Sequence, residues 1–356
     1  GIGAWKQGHD NEYYGNIVYN NGWDGPARGN GHGTYAQNNT GYKTFEDNIF
    51  LNQFGANSRT GGTDAAAVRN ISFIGNAFIN GRLSWEGPHI ENFKVLNNFT
   101  YNNRLSVGNE VNSTFVNAEI RDNYAMGGVQ LFEFTENLIF KNNTVWNNDP
   151  KGKDLVISTI NTWNPAKFLI DNNTYYKSFQ TKPFWNFAIM HPKRKSELSD
   201  DQEYDGGYAF DKTIGSQQAA YKYTDRSWQD DLHIDQNSKY IDSVPDHTRV
   251  FLERNKYDSR RARFIIYNWR NLDTIDIDVK SVLNKGDSYE LRNVQDYFGD
   301  ISKGIYQGGR LKITMKGRTL AKPIGYDQFS EWYHDPLKSN TFPTFGVFEL
   351  IKTAGK

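Results

Sequence analysis

The feature that most constrains this chain is a short phrase, built around an asparagine, that recurs through its first half. Each copy contains an apolar or aromatic pair, one or two spacers, the asparagine and a second alternating stretch, as in Tyr13–Asn20 and Phe45–Asn52. The copies centre on Asn16, Asn48, Asn76, Asn98, Asn123, Asn143 and Asn173. They follow one another at intervals of 20–32 residues, which is typical of stacked solenoid coils.

Apolar residues within each copy alternate with a period of two, which predicts short β-strands rather than helices. In a stack of such coils, equivalent asparagines lie about 4.8 Å apart and their amides can hydrogen-bond to one another. The sequence therefore predicts an inward-turned asparagine ladder. The same phrases contain glycosylation sequons, such as Asn142–Thr144, but the ladder explains these asparagines better.

Composition narrows the class of protein further. A chain of 356 residues exceeds what one core usually organises, so we expect two domains or an elongated repeat domain with an appendage. The aromatic content of 15% and the 32 glycines favour β structure. Equal numbers of basic and acidic residues, 41 each, argue against nucleic acid or anionic lipid as a partner. The absence of cysteine excludes disulfides and Cys-ligated zinc.

No apolar run approaches the roughly 20 residues that a membrane-spanning helix needs. The chain opens with Gly1–Trp5 rather than with a signal-like segment, so we expect a processed or truncated chain.

The stretch Asn16–Asn173 resembles the right-handed parallel β-helix of the pectate-lyase-like superfamily. More narrowly, Asn21–Asp24 and Arg28–Asn38 are similar to a phrase found in bacterial secreted β-helix repeat proteins. The resemblance implies an all-β fold and an extracellular or cell-surface location. It implies less about chemistry, because this superfamily includes lyases, hydrolases, epimerases, adhesins and non-catalytic surface proteins.

Three segments follow from these patterns. Residues 1–178 are expected to form the parallel β-helix coils. Residues 179–245 are expected to contain an insertion, the last coil and a cap, in which Asp235–Ser238 is similar to the terminal turn of such solenoids. Residues 246–356 are expected to form a small antiparallel β-sandwich, because longer alternating strands such as Ala262–Trp269 are separated there by turns.

In enzymes of the resembled superfamily, substrate usually lies along the outer face of the strand that follows the variable loop. Alignment of that strand in successive copies predicts four outward side chains: Trp5, Tyr35, Arg59 and Trp85. Aromatic rings beside a guanidinium suit an acidic polysaccharide, because rings stack on sugar C–H surfaces and arginine pairs with carboxylates. A one-residue slip in register would reverse every face. The predicted substrate-binding residues are Trp5, Lys6, Asp24, Trp85, Glu86 and His89.

Two kinds of chemistry remain open at this stage. Proton abstraction next to a uronate carboxylate needs a cation and a base, for which the candidates are Arg28, His32, Tyr35 and Arg59. Hydrolysis needs two carboxylates, for which the candidates are Asp24, Asp64 and Glu86. His32 lies between two glycines, which also fits a close backbone approach or a tight turn. The resemblance implies calcium as a metal, although the sequence shows no acid-dense loop for it.

The sequence therefore leaves two functional hypotheses. The first is a secreted carbohydrate-active protein, most concretely a polysaccharide lyase acting on a uronate-containing glycan. The second is a non-catalytic surface or adhesive protein, which can also self-associate end to end through unpaired strand edges. The two differ in whether His32, Tyr35 and an arginine converge around one bound sugar.

Overall fold

The computed structural model describes residues 1–25, 29–61, 67–108, 114–131, 134–147, 155–158, 165–177, 187–191, 219–223, 229–230, 233–322 and 340–353. The first compact unit contains Gly1–Val244, and the second begins at Pro245. The first is a parallel β-helix and the second is an antiparallel β domain, which confirms the predicted all-β fold class.

The described strands of the β-helix form four main sheets, in which nearly all neighbouring strands are parallel, and successive coils contribute to them in turn. Sheet 1 contains Ile2–Ala4, Thr34–Ala36, Ser58–Thr60 and Leu83–Ser84. A Trp85–Val107 bridge leads from it to a further sheet of Leu105–Val107, Val129–Leu131, Leu155–Ser158, Phe187–His191 and the antiparallel Ala219–Tyr223.

Sheet 2 contains Asn11–Tyr14, Lys43–Glu46, Val68–Arg69, Ile71–Ile74, His89–Leu96, Thr114–Arg121, Phe134–Lys141 and Phe168–Asp171. Sheet 3 contains Ile17–Tyr19, Ile49–Leu51, Ala77–Ile79, Phe99–Tyr101, Tyr124–Met126, Thr144–Trp146, Thr174–Tyr176 and Lys239–Ile241. A short antiparallel ribbon joins Trp23–Asp24 to Gly29–Asn30, and a 3₁₀ turn spans Pro165–Lys167.

The period-two pattern has a direct structural cause. Residues of alternate parity point inward from each strand, so Phe45 and Phe73 pair in register and their rings stack with centroids 4.9 Å apart. Tyr13 extends the same stack, with its ring 4.7 Å from that of Phe45. The core is thus built from columns of like side chains running along the helix axis.

Two-residue turns between sheets 2 and 3 explain the recurring asparagine. The first turn residue has a positive φ in every coil and is always one of the residue types that tolerate it: Gly15, Asp47, Gly75, Asn97, Asp122, Asn142 and Asn172. The second is the repeated asparagine, which turns inward. The Nδ2 of Asn48 donates to the Oδ1 of Asn76 at 2.9 Å, and the remaining members are linked in the same way. The predicted ladder is confirmed.

The ladder ends on a carboxylate. Asn173 donates from Nδ2 to the Oδ1 of Asp235 at 3.1 Å and from its backbone N–H to the Ser238 hydroxyl at 2.7 Å. Tyr240 donates its hydroxyl to the other oxygen of Asp235 at 3.0 Å. Asp235 and Ser238 therefore occupy the place that the next asparagine would take, in the turn that the sequence predicts as terminal.

The second unit packs a five-stranded antiparallel sheet against a two-stranded one. The larger sheet contains Arg249–Arg254, Arg261–Tyr267, Phe345–Thr353, Ser288–Asn293 and Ile301–Ile305, and the smaller contains Thr274–Asp278 and Arg310–Thr314. Apolar residues from both sheets, including Phe264, Ile277 and Ile313, form its core. A 3₁₀ turn spans Val294–Asp296.

Candidate functional site

The outer face of sheet 1 brings together three of the predicted residues. Tyr35 and Arg59 pair directly across adjacent coils, and the guanidinium carbon of Arg59 lies 5.6 Å from the centroid of the Tyr35 ring. Trp5 meets the same ring edge-to-face, with centroids 5.2 Å apart. The neighbouring Thr34 and Ala36 are buried, as period-two alternation requires. We call Trp5, Tyr35 and Arg59 the sheet 1 patch.

The arginine of this patch is held by an ion pair. Its Nη2 lies 2.6 Å from the Oε1 of Glu86, and the two side chains are 30% and 15% exposed. The hydroxyl of Thr60 donates to the backbone carbonyl of Glu86 at 2.9 Å, which fixes the backbone beside the pair. The Nε of Arg59 has no hydrogen-bond partner among the described residues. That Nε is buried, so the guanidinium is held in place by Glu86 and by the Tyr35 ring.

His32 lies beside the patch but is tied to the backbone. Its ring centroid is 6.0 Å from that of Tyr35, and its Nδ1 accepts a hydrogen bond from the Ala56 N–H at 2.9 Å. The neutral ring therefore carries its proton on Nε2, which makes that nitrogen a donor rather than a base. A Cβ on Gly33 would lie 2.3 Å from the carbonyl oxygen of Asn57, which confirms the close backbone approach predicted around His32.

The prediction that Trp85 points outward is wrong. Trp85 is fully buried, its ring stacks on Phe73 with centroids 4.3 Å apart, and its Nε1 donates to the Ser58 hydroxyl at 2.8 Å. The strands pair Ser84 with Arg59, one residue away from the predicted alignment. A one-residue slip exchanges the two faces of a strand, so Trp85 belongs to the core.

The predicted alignment of Trp5 with Tyr35 is also wrong, but by two residues. Gly3, rather than Trp5, lies opposite Tyr35. A shift of two residues preserves the face, and Trp5 accordingly remains 51% exposed.

The structure does not bring the other predicted residues into this patch. His89 begins a strand of sheet 2, where its Nδ1 lies 2.6 Å from the Thr114 hydroxyl and its Nε2 lies 3.5 Å from Glu91. Lys6 follows Trp5 in a turn and is half-buried. Arg28 and Asp64 lie outside the described residues, as does the side chain of Asp24.

A calcium site finds no support in the parts of the chain that the structure describes, because no three His, Asp or Glu side chains converge there. The only carboxylate described at the patch, that of Glu86, is engaged by Arg59. In the part of the chain that the structure describes, we also find no helical segment with the length and hydropathy of a membrane span.

Sequence reasoning missed a groove on the outer face of sheet 2. Four asparagines form its floor: Asn70, Asn92, Asn117 and Asn137. A signal for it is present in the sequence, because each of these asparagines stands six residues before a member of the inner ladder. That second repeat identifies a column of equivalent positions.

No protein-family model, curated protein or solved structure matches this chain. The fold defines the chain as a parallel β-helix protein with a C-terminal antiparallel β domain. Any inference about the function of this chain therefore depends on the geometry of its surfaces.

Proposed function

We propose that this chain is an extracellular polysaccharide-binding protein that holds a uronate-containing glycan along the outer face of sheet 1. The observation that carries the proposal is the contiguous patch of Trp5, Tyr35 and Arg59 on adjacent coils. The exposed indole of Trp5 offers a ring face for the C–H surfaces of sugars, and the half-buried ring of Tyr35 lies beside it. This geometry also fits the resemblance to the pectate-lyase-like superfamily.

Arg59 supports an acidic rather than a neutral ligand for this patch. A guanidinium has five N–H donors in a planar fork, and the Arg59 side chain remains 30% exposed beside its contact with Glu86. The ion pair and the Tyr35 ring hold the fork in place, so less side-chain entropy is lost when a carboxylate binds. A uronate carboxylate beside a stacked sugar ring matches this arrangement.

Binding without catalysis is better supported than elimination. The Nδ1 of His32 already accepts a hydrogen bond from the Ala56 N–H, and the Glu86 carboxylate is engaged by Arg59, so neither group is placed to act as the base. Lyase activity stays as a second candidate because the Tyr35 ring adjoins a cation, which is one arrangement that can abstract a proton next to a carboxylate.

The test is retardation in gels containing alginate, polygalacturonate, chondroitin sulfate or heparin. Trp5→Ala and Tyr35→Ala are expected to weaken binding about 5- to 30-fold each, equivalent to roughly 1–2 kcal/mol. Tyr257→Ala is the matched control, because Tyr257 is 70% exposed and belongs to the second unit. Added salt should weaken binding, since the ligand is charged.

The proposal fails if none of the four polymers retards the protein, or if Tyr257→Ala weakens binding as much as the patch variants. Ultraviolet absorbance of an unsaturated product distinguishes the second candidate. A signal that appears with the intact protein and disappears with Tyr35→Phe would establish lyase activity.

A further inference from the structure

The groove on sheet 2 arises from a bend that four coils share. Asn70, Asn92, Asn117 and Asn137 have φ values of 52°, 52°, 58° and 55°. This left-handed conformation is unfavourable for most L-residues, and asparagine tolerates it well. Because strand pairing places the four residues in one column, the bend recurs at the same point of each coil. The outer surface of sheet 2 becomes concave along that column.

The four side chains form a second ladder, which is distinct from the inner one. Nδ2 of Asn92 donates to Oδ1 of Asn70 at 2.9 Å, Asn117 donates to Asn92 at 3.1 Å, and Asn137 donates to Asn117 at 2.9 Å. The inner ladder is buried, whereas Asn117 and Asn137 are exposed. Each link uses one N–H of the donor amide, and the other N–H and an oxygen lone pair stay available.

The groove has a volume of about 520 Å³, which lies within the range of small-molecule and oligosaccharide sites. One wall is formed by the next outward column of sheet 2, which comprises Ser72, Lys94, Glu119 and Ile139. Tyr42 borders the groove beside Asn70 and is 54% exposed. An open aromatic ring therefore stands at one end of a row of amides.

Two charged side chains line the groove, Lys94 and Glu119, and ion pairs connect them to Arg121 and Asp122 beside it. The Nζ of Lys94 lies 3.9 Å from the Oε2 of Glu119, and the Nε of Arg121 lies 2.6 Å from the Oε1 of the same carboxylate. Arg121 also contacts Asp122 at 2.6 Å. These four side chains carry two positive and two negative charges, and the groove itself is lined mainly by uncharged side chains. Amides that both donate and accept match hydroxyl groups.

We propose that this groove is a separate binding site for a neutral, unbranched polysaccharide that runs parallel to the β-helix axis. Successive amides are one coil apart, about 4.8 Å, and an extended glycan advances by a similar length with each sugar. One sugar thus meets one coil, and a terminal sugar stacks on Tyr42. The site lies on a different sheet from the sheet 1 patch and shares no residue with it, so the proposal does not depend on the function assigned to that patch.

The test is calorimetric titration of the full chain with cellohexaose, xylohexaose and mannohexaose. Asn92→Gly and Asn117→Gly remove the amides while permitting the positive φ. Tyr42→Ala removes the ring without altering the ladder, so it tests the groove even if the glycine variants fold poorly. At least one hexasaccharide should bind, and each variant should weaken it about three- to tenfold. Affinity should not change with added salt, because the ligand is neutral.

Tyr35→Ala is the matched control, since it alters the sheet 1 patch alone and should leave hexasaccharide binding unchanged. The proposal is overturned if no hexasaccharide binds at millimolar concentration, or if Tyr42→Ala has no effect. It is equally overturned if Tyr35→Ala abolishes the binding. Retardation by acidic polymers with no hexasaccharide binding would refute the groove site and leave the proposed function standing. Hexasaccharide binding with no retardation by acidic polymers would refute the proposed function and leave the groove site standing.

Discussion

Asp235 ends the inner asparagine ladder with a buried carboxylate, and Asp235→Asn tests what that charge costs the fold. The side chain is 1% exposed. Burial raises its pKa from 3.8 to about 6, although hydrogen bonds from Ser238, Asn173 and Tyr240 favour the ionised form. Among the described residues, no lysine or arginine forms an ion pair with it.

The expected change in unfolding free energy follows from the size of this pKa shift. An acid whose pKa is higher in the folded state binds its proton more tightly there than in the unfolded chain. The resulting stabilisation is fully present below about pH 4 and is lost as the pH rises through about 6. A shift of about two pH units corresponds to roughly 3 kcal/mol of unfolding free energy.

Asparagine keeps the shape of the side chain without the charge. Its Oδ1 can accept from Asn173, and its Nδ2 can donate to the hydroxyl of Tyr240. We therefore expect Asp235→Asn to match the parent chain near pH 4 and to exceed its stability at pH 7.5 by up to about 3 kcal/mol.

The measurement is urea unfolding of the parent chain and the variant at several pH values between 4 and 7.5, followed by circular dichroism. The informative quantity is the difference in unfolding free energy between the two proteins at each pH, because other titrating groups cancel in it. Asp242→Asn is the control: Asp242 is 70% exposed and forms a surface ion pair with Lys177 at 3.1 Å, so its loss should change stability by less than about 1 kcal/mol. A difference that is independent of pH, or a variant less stable at pH 7.5, would refute the reasoning.

Three further predictions concern the interior of the β-helix, and urea unfolding checks each of them. Asn98→Ala removes four hydrogen bonds of the inner ladder and should cost about 3 kcal/mol or more; a cost below about 1 kcal/mol would contradict a structural ladder. Trp85→Ala should cost about 3–5 kcal/mol and orphan the Ser58 hydroxyl, whereas an outward indole would be removed at little cost. Gly33→Ala places a methyl 2.3 Å from the Asn57 carbonyl and should cost about 1–3 kcal/mol, so unchanged stability would count against that contact.

The inner ladder could be predicted from the sequence because it depends on local rules. A positive-φ residue followed by an asparagine closes the turn in every coil, and stacking then brings the asparagines together. The terminal turn at Asp235–Ser238 could be predicted from its similarity to the turns that close such solenoids. Period-two alternation and the recurrence of the phrase were enough to predict parallel coils.

The candidate site was less predictable because it depends on register. Strands of two or three residues carry too little pattern to fix their pairing, so Trp5 was misplaced by two positions and Trp85 by one. An even error preserved the face of Trp5, and an odd error reversed that of Trp85. The ion pair between Arg59 and Glu86 likewise joins residues whose contact only the pairing of coils reveals.

The sequence alone therefore determined the repeating architecture, since turn residues and alternation act within a few positions of one another. Only the tertiary structure decided which side chains face outward together, because that depends on how coils of unequal length stack. The groove on sheet 2 illustrates the difference: its asparagines recur visibly in the sequence, but the bends become a groove only when strand pairing aligns Asn70, Asn92, Asn117 and Asn137 in one column.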